Sequence, residues 1–235
     1  MARTRRDILE WVGAGGLTAA GAGATIWPAR VAGGVASGGV LAALNGPAAA
    51  QGANPAEVLK PGPLPEIVLG SPDAKVTIVE YASLTCGHCA NFHARTFPQL
   101  KEKYIDTGKV RFILREFPID PRAAVGSMLA RCADGERQVA MMDLLFKQQE
   151  NWAFVPAAQF LPNLANLVKQ AGFTQERFDA CLKDSQLYAN VQAVKARGEA
   201  LGVDSTPTFF VNGQKHAGAL SIAEFDRILA PLVGS

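Results

Sequence analysis

A run of β-branched and apolar residues, Val76-Thr77-Ile78-Val79-Glu80-Tyr81, leads within a few residues into Cys86-Gly87-His88-Cys89, and this junction constrains the fold more than any other stretch. The run is introduced by the turn-forming Ser71-Pro72-Asp73 and reads as a strand buried on both faces. Beyond the cysteines, Phe92, Phe97, Leu100 and Tyr104 recur at a spacing that suits a helix, with Pro98 placed to kink or break it. A second strand, Val110–Glu116, follows Gly108. Strand, cysteine pair at a helix start, helix, strand is the context in which C-x-x-C reads as a redox pair.

That placement has a physical consequence. A thiolate at Cys86 would sit where unpaired backbone N–H groups and the helix dipole both favour negative charge. His88, when protonated, adds a cation beside it. Lowering a thiol pKa from about 8.5 by roughly two to five units favours the thiolate by roughly 3–7 kcal/mol and makes the disulfide a better oxidant. Cys86, earlier and more exposed, is the expected nucleophile; Cys89, one turn in, is the expected resolving thiol. The competing chemistries are less well supplied. Cys86, Cys89 and His93 have C-x2-C-x3-H spacing but no evident fourth metal ligand. A c-type haem needs His directly after the second cysteine, where Ala90 stands. A purely structural disulfide spanning two residues at a helix start would be strained. No metal and no cofactor are expected.

Far downstream, Ser205-Thr206-Pro207-Thr208-Phe209-Phe210-Val211-Asn212-Gly213 combines a strand-like run with a strong hairpin turn, and Lys215-His216-Ala217-Gly218 can return as its partner. Together with Tyr81 through Cys89, this stretch resembles the thioredoxin superfamily, and more narrowly the DsbA family of bacterial disulfide oxidoreductases, over roughly residues 66–235. The resemblance implies an α/β thioredoxin fold with an inserted multi-helix domain. It also implies a cis bond at Thr206-Pro207 beside the cysteines, with Gly87, Thr206 and Pro207 contacting an extended substrate peptide by β-augmentation. Ser221-Ile222-Ala223-Glu224 reads as a capping box that opens a last helix through about Leu232.

The expected thioredoxin domain is then 67–117 with 206–235, and the helical insertion is 118–205, too long for a single crossover helix. Helical spacing recurs within it, as in Val125, Met128, Leu129, Cys132 and in Phe178, Cys181, Leu182. Trp152 and Phe154 are expected in its core, with a groove beside Cys86 as the alternative. Cys132 and Cys181 fall on apolar helix faces. In an oxidising compartment they are expected to pair as a structural disulfide; the alternative is two separately buried thiols acting as small hydrophobes.

Glu80 is the only Asp, Glu, Lys or Arg between Lys75 and Arg95, and it lies six positions before Cys86. Burial disfavours a charged carboxylate, which fits Glu80 to carry a proton for Cys89 when the disulfide opens; DsbA-like proteins have an acidic residue at the matching position. His93 and His216 are expected to be solvated surface residues.

The first fifty residues differ in kind from the rest. Residues 11–29 and 31–56 carry no charge, and ten glycines lie between Gly13 and Gly46, too few large side chains for a core. Thr4-Arg5-Arg6-Asp7-Ile8-Leu9-Glu10 resembles a twin-arginine export signal, departing from it at Glu10, and Pro47-Ala48-Ala49-Ala50 suits a signal peptidase. Residues 1–50 are expected to be a signal peptide cleaved near Ala50, with a retained N-terminal anchor as the alternative; either delivers the remainder to the periplasm. Residues 51–66 read as an extended, partly mobile Pro-rich spacer.

The formal charge is +2, but from Gln51 onward 19 basic residues balance 19 acidic ones, which argues against nucleic acid as a partner. The expected protein is a monomer that donates disulfides to thiol-bearing secreted proteins and is reoxidised by a membrane quinone reductase of the DsbB type. An isomerase or reductase kept reduced is one alternative, although residues 51–66 are too short for the N-terminal dimerisation domain of such enzymes. A thioredoxin-like copper chaperone is the other, and none of the four methionines lies near the cysteine pair in sequence.

Overall fold

The computed structural model of the protein describes residues 54–135 and 137–234. The expected export signal, within residues 1–50, lies outside the described residues. In chain order the elements begin with α1 (Pro55–Leu59), β1 (Ile67–Leu69), β2 (Val76–Ala82), α2 (Gly87–Arg95) and α3 (Phe97–Leu100). A π-helical turn over Lys101–Ile105 continues α3 and is followed by β3 (Val110–Glu116). Then come α4 (Pro121–Cys132), α5 (Arg137–Lys147), α6 (Gln149–Trp152), α7 (Ala157–Gln170), α8 (Gln175–Lys183) and α9 (Ser185–Ala200). The chain closes with β4 (Thr208–Val211), β5 (Gln214–Ala217) and α10 (Ile222–Val233).

The five strands form one sheet in the order β1-β3-β2-β4-β5. β2 and β3 are parallel, with Val76 opposite Val110 and Ala82 opposite Glu116; every other pairing is antiparallel. The β-branched run of β2 is central and buried on both faces, as its mostly apolar sequence, broken by Thr77 and Glu80, favours. On one face Ile78, Ala82, Phe112, Leu114, Phe209 and Val211 join Phe92 of α2 and Phe225 and Leu229 of α10. On the other, Val79, Tyr81, Ile113, Phe117 and Phe210 meet Val58 of α1. Asn212 and Gly213, at φ 46° and 89°, make the β4–β5 turn, and Ser221 with Glu224 forms the capping box of α10. Pro98 does interrupt the helix: α2 ends at Arg95, and α3 restarts with Pro98 in its first turn, where a missing N–H costs nothing.

Residues 54–66 depart from the expected extended spacer. Asn54 caps α1 by accepting from the Ala56 N–H at 3.0 Å, and Val58 is fully buried. Two arginines explain why the segment packs down. Arg115 donates to the carbonyl of Val58 at 2.7 Å, and Arg197 donates to those of Pro61 and Lys60 at 2.8 and 2.9 Å. Backbone acceptors that an extended spacer would leave to water are thereby satisfied by the body.

Between β3 and β4 the chain is helical, from α4 to α9. Trp152 is fully buried, with its indole N–H donating to the Leu145 carbonyl at 2.8 Å. Phe154, expected in the same core, is instead 54% exposed. The carbonyls on either side of it, of Ala153 and Val155, are held by Arg122, and the residue between them faces out. A disulfide joins Cys132 at the end of α4 to Cys181 in α8.

Candidate active site

Where β2 ends, Ser83-Leu84-Thr85 carries the chain to Cys86, the residue that caps α2. This loop is held from several sides. The Cys86 N–H donates to the Ser83 carbonyl at 3.0 Å. The Thr85 hydroxyl donates to Asp120, whose other oxygen caps α4 through the Ala123 N–H at 2.9 Å. From α6, the Gln149 amide donates to the carbonyls of Leu84 and Cys86 at 2.8 and 3.1 Å. The helices between β3 and β4 therefore fix the loop that presents the cysteine.

The two thiols are free and electrostatically opposite. Cys86 is lowered from 9.0 to about 5, chiefly because the Cys89 thiol donates to its thiolate. The Thr206 hydroxyl and the backbone N–H groups of Cys89 and His88 act in the same direction, and burial opposes them. When protonated, the same sulfur donates to the Thr206 carbonyl at 3.2 Å, so Thr206 serves both states. The Thr206–Pro207 peptide bond is cis. Cys89 is fully buried, and burial, the neighbouring Cys86 and the Glu80 charge together push its thiol far above the usual range. A thiolate at Cys86 is a good leaving group and nucleophile, whereas Cys89 must take a proton whenever it is freed.

Glu80 is fully buried in β2, opposite Leu114 and Phe209. It is not alone. His93, expected at the surface, is 7% exposed, and its Nε2 lies 3.0 and 3.2 Å from the two Glu80 oxygens. It stacks on Phe146 of α5 with ring centroids 4.3 Å apart. The physical reason is a partner that sequence spacing does not display: a carboxylate from β2 beneath the face of α2 that also carries Cys89. His93 Nε2 is accordingly occupied by Glu80. His216 also departs from expectation. It is half-buried opposite Phe209, burial lowers its pKa, and its Nε2 has no hydrogen-bond partner among the described residues.

His88 and Gly87 are exposed at the helix start, Thr206 is half-buried and Pro207 buried. The structure thus gathers Cys86, Cys89, Gly87, His88, Glu80, Thr206 and Pro207 at one site and keeps Cys132 and Cys181 bonded to each other in α4 and α8.

A family model described as thioredoxin matches residues 64–230. The crystal structure of alpha-DsbA1 from Wolbachia pipientis superposes with a TM-score of 0.69 at 32% identity, covering 76% of this chain and 95% of that one. The chain belongs to the DsbA-like branch of the thioredoxin superfamily. A Rickettsia bellii protein named as a protein-disulfide oxidoreductase is 37% identical over 153 residues, 63% of this chain and 57% of its own length. The chain thus spans little more than half of that relative. BdbD from Bacillus subtilis, at 21% identity and a TM-score of 0.61, shares the fold.

Within this DsbA-like site, sequence reasoning missed Asp120, Gln149 and His93. Asp120 carried a signal, since Asp before Pro121 is a helix-start pattern. Gln149 sits in the polar run Gln148-Gln149-Glu150-Asn151 and carried none.

Proposed function

We propose that the protein is a periplasmic thiol:disulfide oxidoreductase that donates the Cys86–Cys89 disulfide to thiol-bearing secreted proteins. The observation that carries this reading is the unequal pair, Cys86 lowered to about 5 and Cys89 pushed up by burial. Lowering the thiol from 9.0 to about 5 leaves Cys86 ionised at neutral pH, which stabilises the reduced form and makes the disulfide oxidising.

A substrate thiolate attacks Cys86 Sγ; the Cys86–Cys89 bond breaks and its electron pair leaves on Cys89, which takes a proton. A second substrate thiolate then attacks the substrate sulfur of the mixed disulfide and releases Cys86 as thiolate. Two electrons pass from substrate to protein. Glu80 serves as the proton carrier for Cys89, and Gly87, Thr206 and Pro207 line the place where an extended substrate segment would lie. His88 contributes positive charge when protonated.

Export is supported by the basic, glycine-rich start of the chain and by the Cys132–Cys181 disulfide, which belongs to an oxidising compartment. A membrane quinone reductase of the DsbB type would return the pair to the disulfide.

The test is the equilibrium of the Cys86–Cys89 pair in glutathione buffers. A strongly oxidising potential is expected; a reducing, thioredoxin-like one would replace the donor by a reductase or isomerase.

A further inference from the structure

Cys89 and His93 are one helical turn apart on α2 and face the sheet together. Glu80 of β2 lies beneath both, its charge acting on the Cys89 thiol and its two oxygens facing His93 Nε2. The imidazole ring is fixed by Phe146 of α5 on one face, with Phe92 and Phe97 at 5.2 and 5.0 Å from it. A hydrogen bond from a ring held so firmly does more than fill space. It gives a buried carboxylate a titratable partner next to the atom that must gain a proton in each cycle.

We propose that His93 is a positioning residue for exchange at Cys89: it holds Glu80 beneath the cysteine pair, and the two groups together store the proton that Cys89 takes up when the disulfide opens. The inference rests on the reading of Cys86 and Cys89 as a redox pair. When reductant attacks Cys86, the breaking S–S bond leaves its electron pair on Cys89. The proton of the imidazole–carboxylate pair moves to that sulfur, and water at the surface later restores it. The titratable groups facing His93 are Glu80 from β2 and Cys89 from its own helix. From α5 it meets the Phe146 ring, while Asp143 and Lys147 of that helix pair with each other at the surface, 2.6 Å apart. From α3 it meets the Phe97 ring.

The test is the rate at which dithiothreitol opens the disulfide of the full chain, corrected for the reductant's own thiolate fraction, from about pH 5 to about pH 8. Dithiothreitol opens the pair whether the protein works as donor or reductase, so a failure of the donor reading in glutathione is distinguishable from a failure here. The wild-type corrected rate should fall as pH rises. His93→Gln, which keeps a donor but not a titrating ring, should lose that dependence and slow opening by roughly tenfold or more at the acid end. Glu80→Gln/His93→Gln should be no slower than either single variant. A His93→Gln protein with the wild-type rate and profile would overturn the proposal and leave a packing role. A second measurement needs no variant: the ring signals of His93, one of three histidines, followed by NMR against pH in both redox states. Their midpoint should differ between oxidised and reduced protein, and identical midpoints would equally overturn the proposal.

Discussion

The side-chain amide of Gln149 donates to the carbonyl oxygen of Cys86 at 3.1 Å across 63 residues of sequence, and to that of Leu84 at 2.8 Å. A side chain from the helical segment thus holds the backbone that presents the reactive sulfur. Gln149 is 4% exposed, so its removal strands acceptors away from water. Gln149→Ala should cost about 1–3 kcal/mol in urea unfolding of the reduced protein. It should also broaden the Cys86 alkylation profile, because the helix-start geometry that favours the thiolate loosens. Unfolding that matches the wild type within error would show that the loop is held without it.

The lowered Cys86 thiol predicts a sign for the pH dependence of stability. Folded, the thiol titrates near 5 against an ordinary 9.0, so between these values the unfolded chain binds a proton that the folded one does not. Stability from this group is therefore fully present above about pH 9 and is lost as pH falls through about 5. Cys89 is pushed up and keeps its proton when folded, so it adds little slope until pH nears the ordinary thiol value of 9.0, where it opposes the gain in both proteins alike. The reduced protein should gain up to about 1.4 kcal/mol per pH unit over Cys86→Ser between these limits. Denaturant melts of both proteins at several pH values check this; parallel curves would contradict a depressed thiol.

Much of this site can be read from the chain, and the unread part shares one character. β3 is recoverable residue for residue, because Val110–Glu116 follows Gly108 and carries Phe112-Ile113-Leu114 at its centre. The Asn212-Gly213 hairpin and the α10 capping box are equally local, each decided within a few residues. His93 and Gln149 are different. Both are polar side chains, so residue type assigns them to the surface, and only the carboxylate of β2 and the carbonyls of the Cys86 loop reverse that assignment. Residues 54–66 are a like case, since Arg115 and Arg197, which hold this segment down, are distant in sequence. Phe154 is the converse case: an aromatic residue assigned inward by type but turned outward by the backbone contacts beside it.

The Cys132–Cys181 disulfide closes a loop with a sequence separation of 49 between the end of α4 and α8. Chain-entropy arguments put its contribution near 4 kcal/mol, with roughly 2–4 typical in practice. Cys132→Ala/Cys181→Ala should lose that much stability and leave the alkylation midpoint of Cys86 near 5. A shifted midpoint would instead couple the second disulfide to the site.

Gly126, in the interior of α4, tests how tightly the helices seat that loop. In an ordinary helix Ala is favoured over Gly by about 1 kcal/mol. Here an added Cβ would lie 2.9 Å from a Trp152 ring carbon and 3.1 Å from a Leu84 methyl. Neither neighbour yields readily: Trp152 is fully buried and tethered to the Leu145 carbonyl, and Leu84 is two residues before Cys86. Overpacking of this kind costs about 1–3 kcal/mol, which cancels or outweighs the helix preference. Gly126→Ala should therefore be neutral to destabilising by about 2 kcal/mol, and Gly126→Val clearly worse. Gly87→Ala, at the first residue of α2 where a Cβ meets nothing within 4 Å, is the control and should be neutral to stabilising by up to about 1 kcal/mol. A stabilised Gly126→Ala would mean that Trp152 and Leu84 can move apart, and with them the loop that carries Cys86.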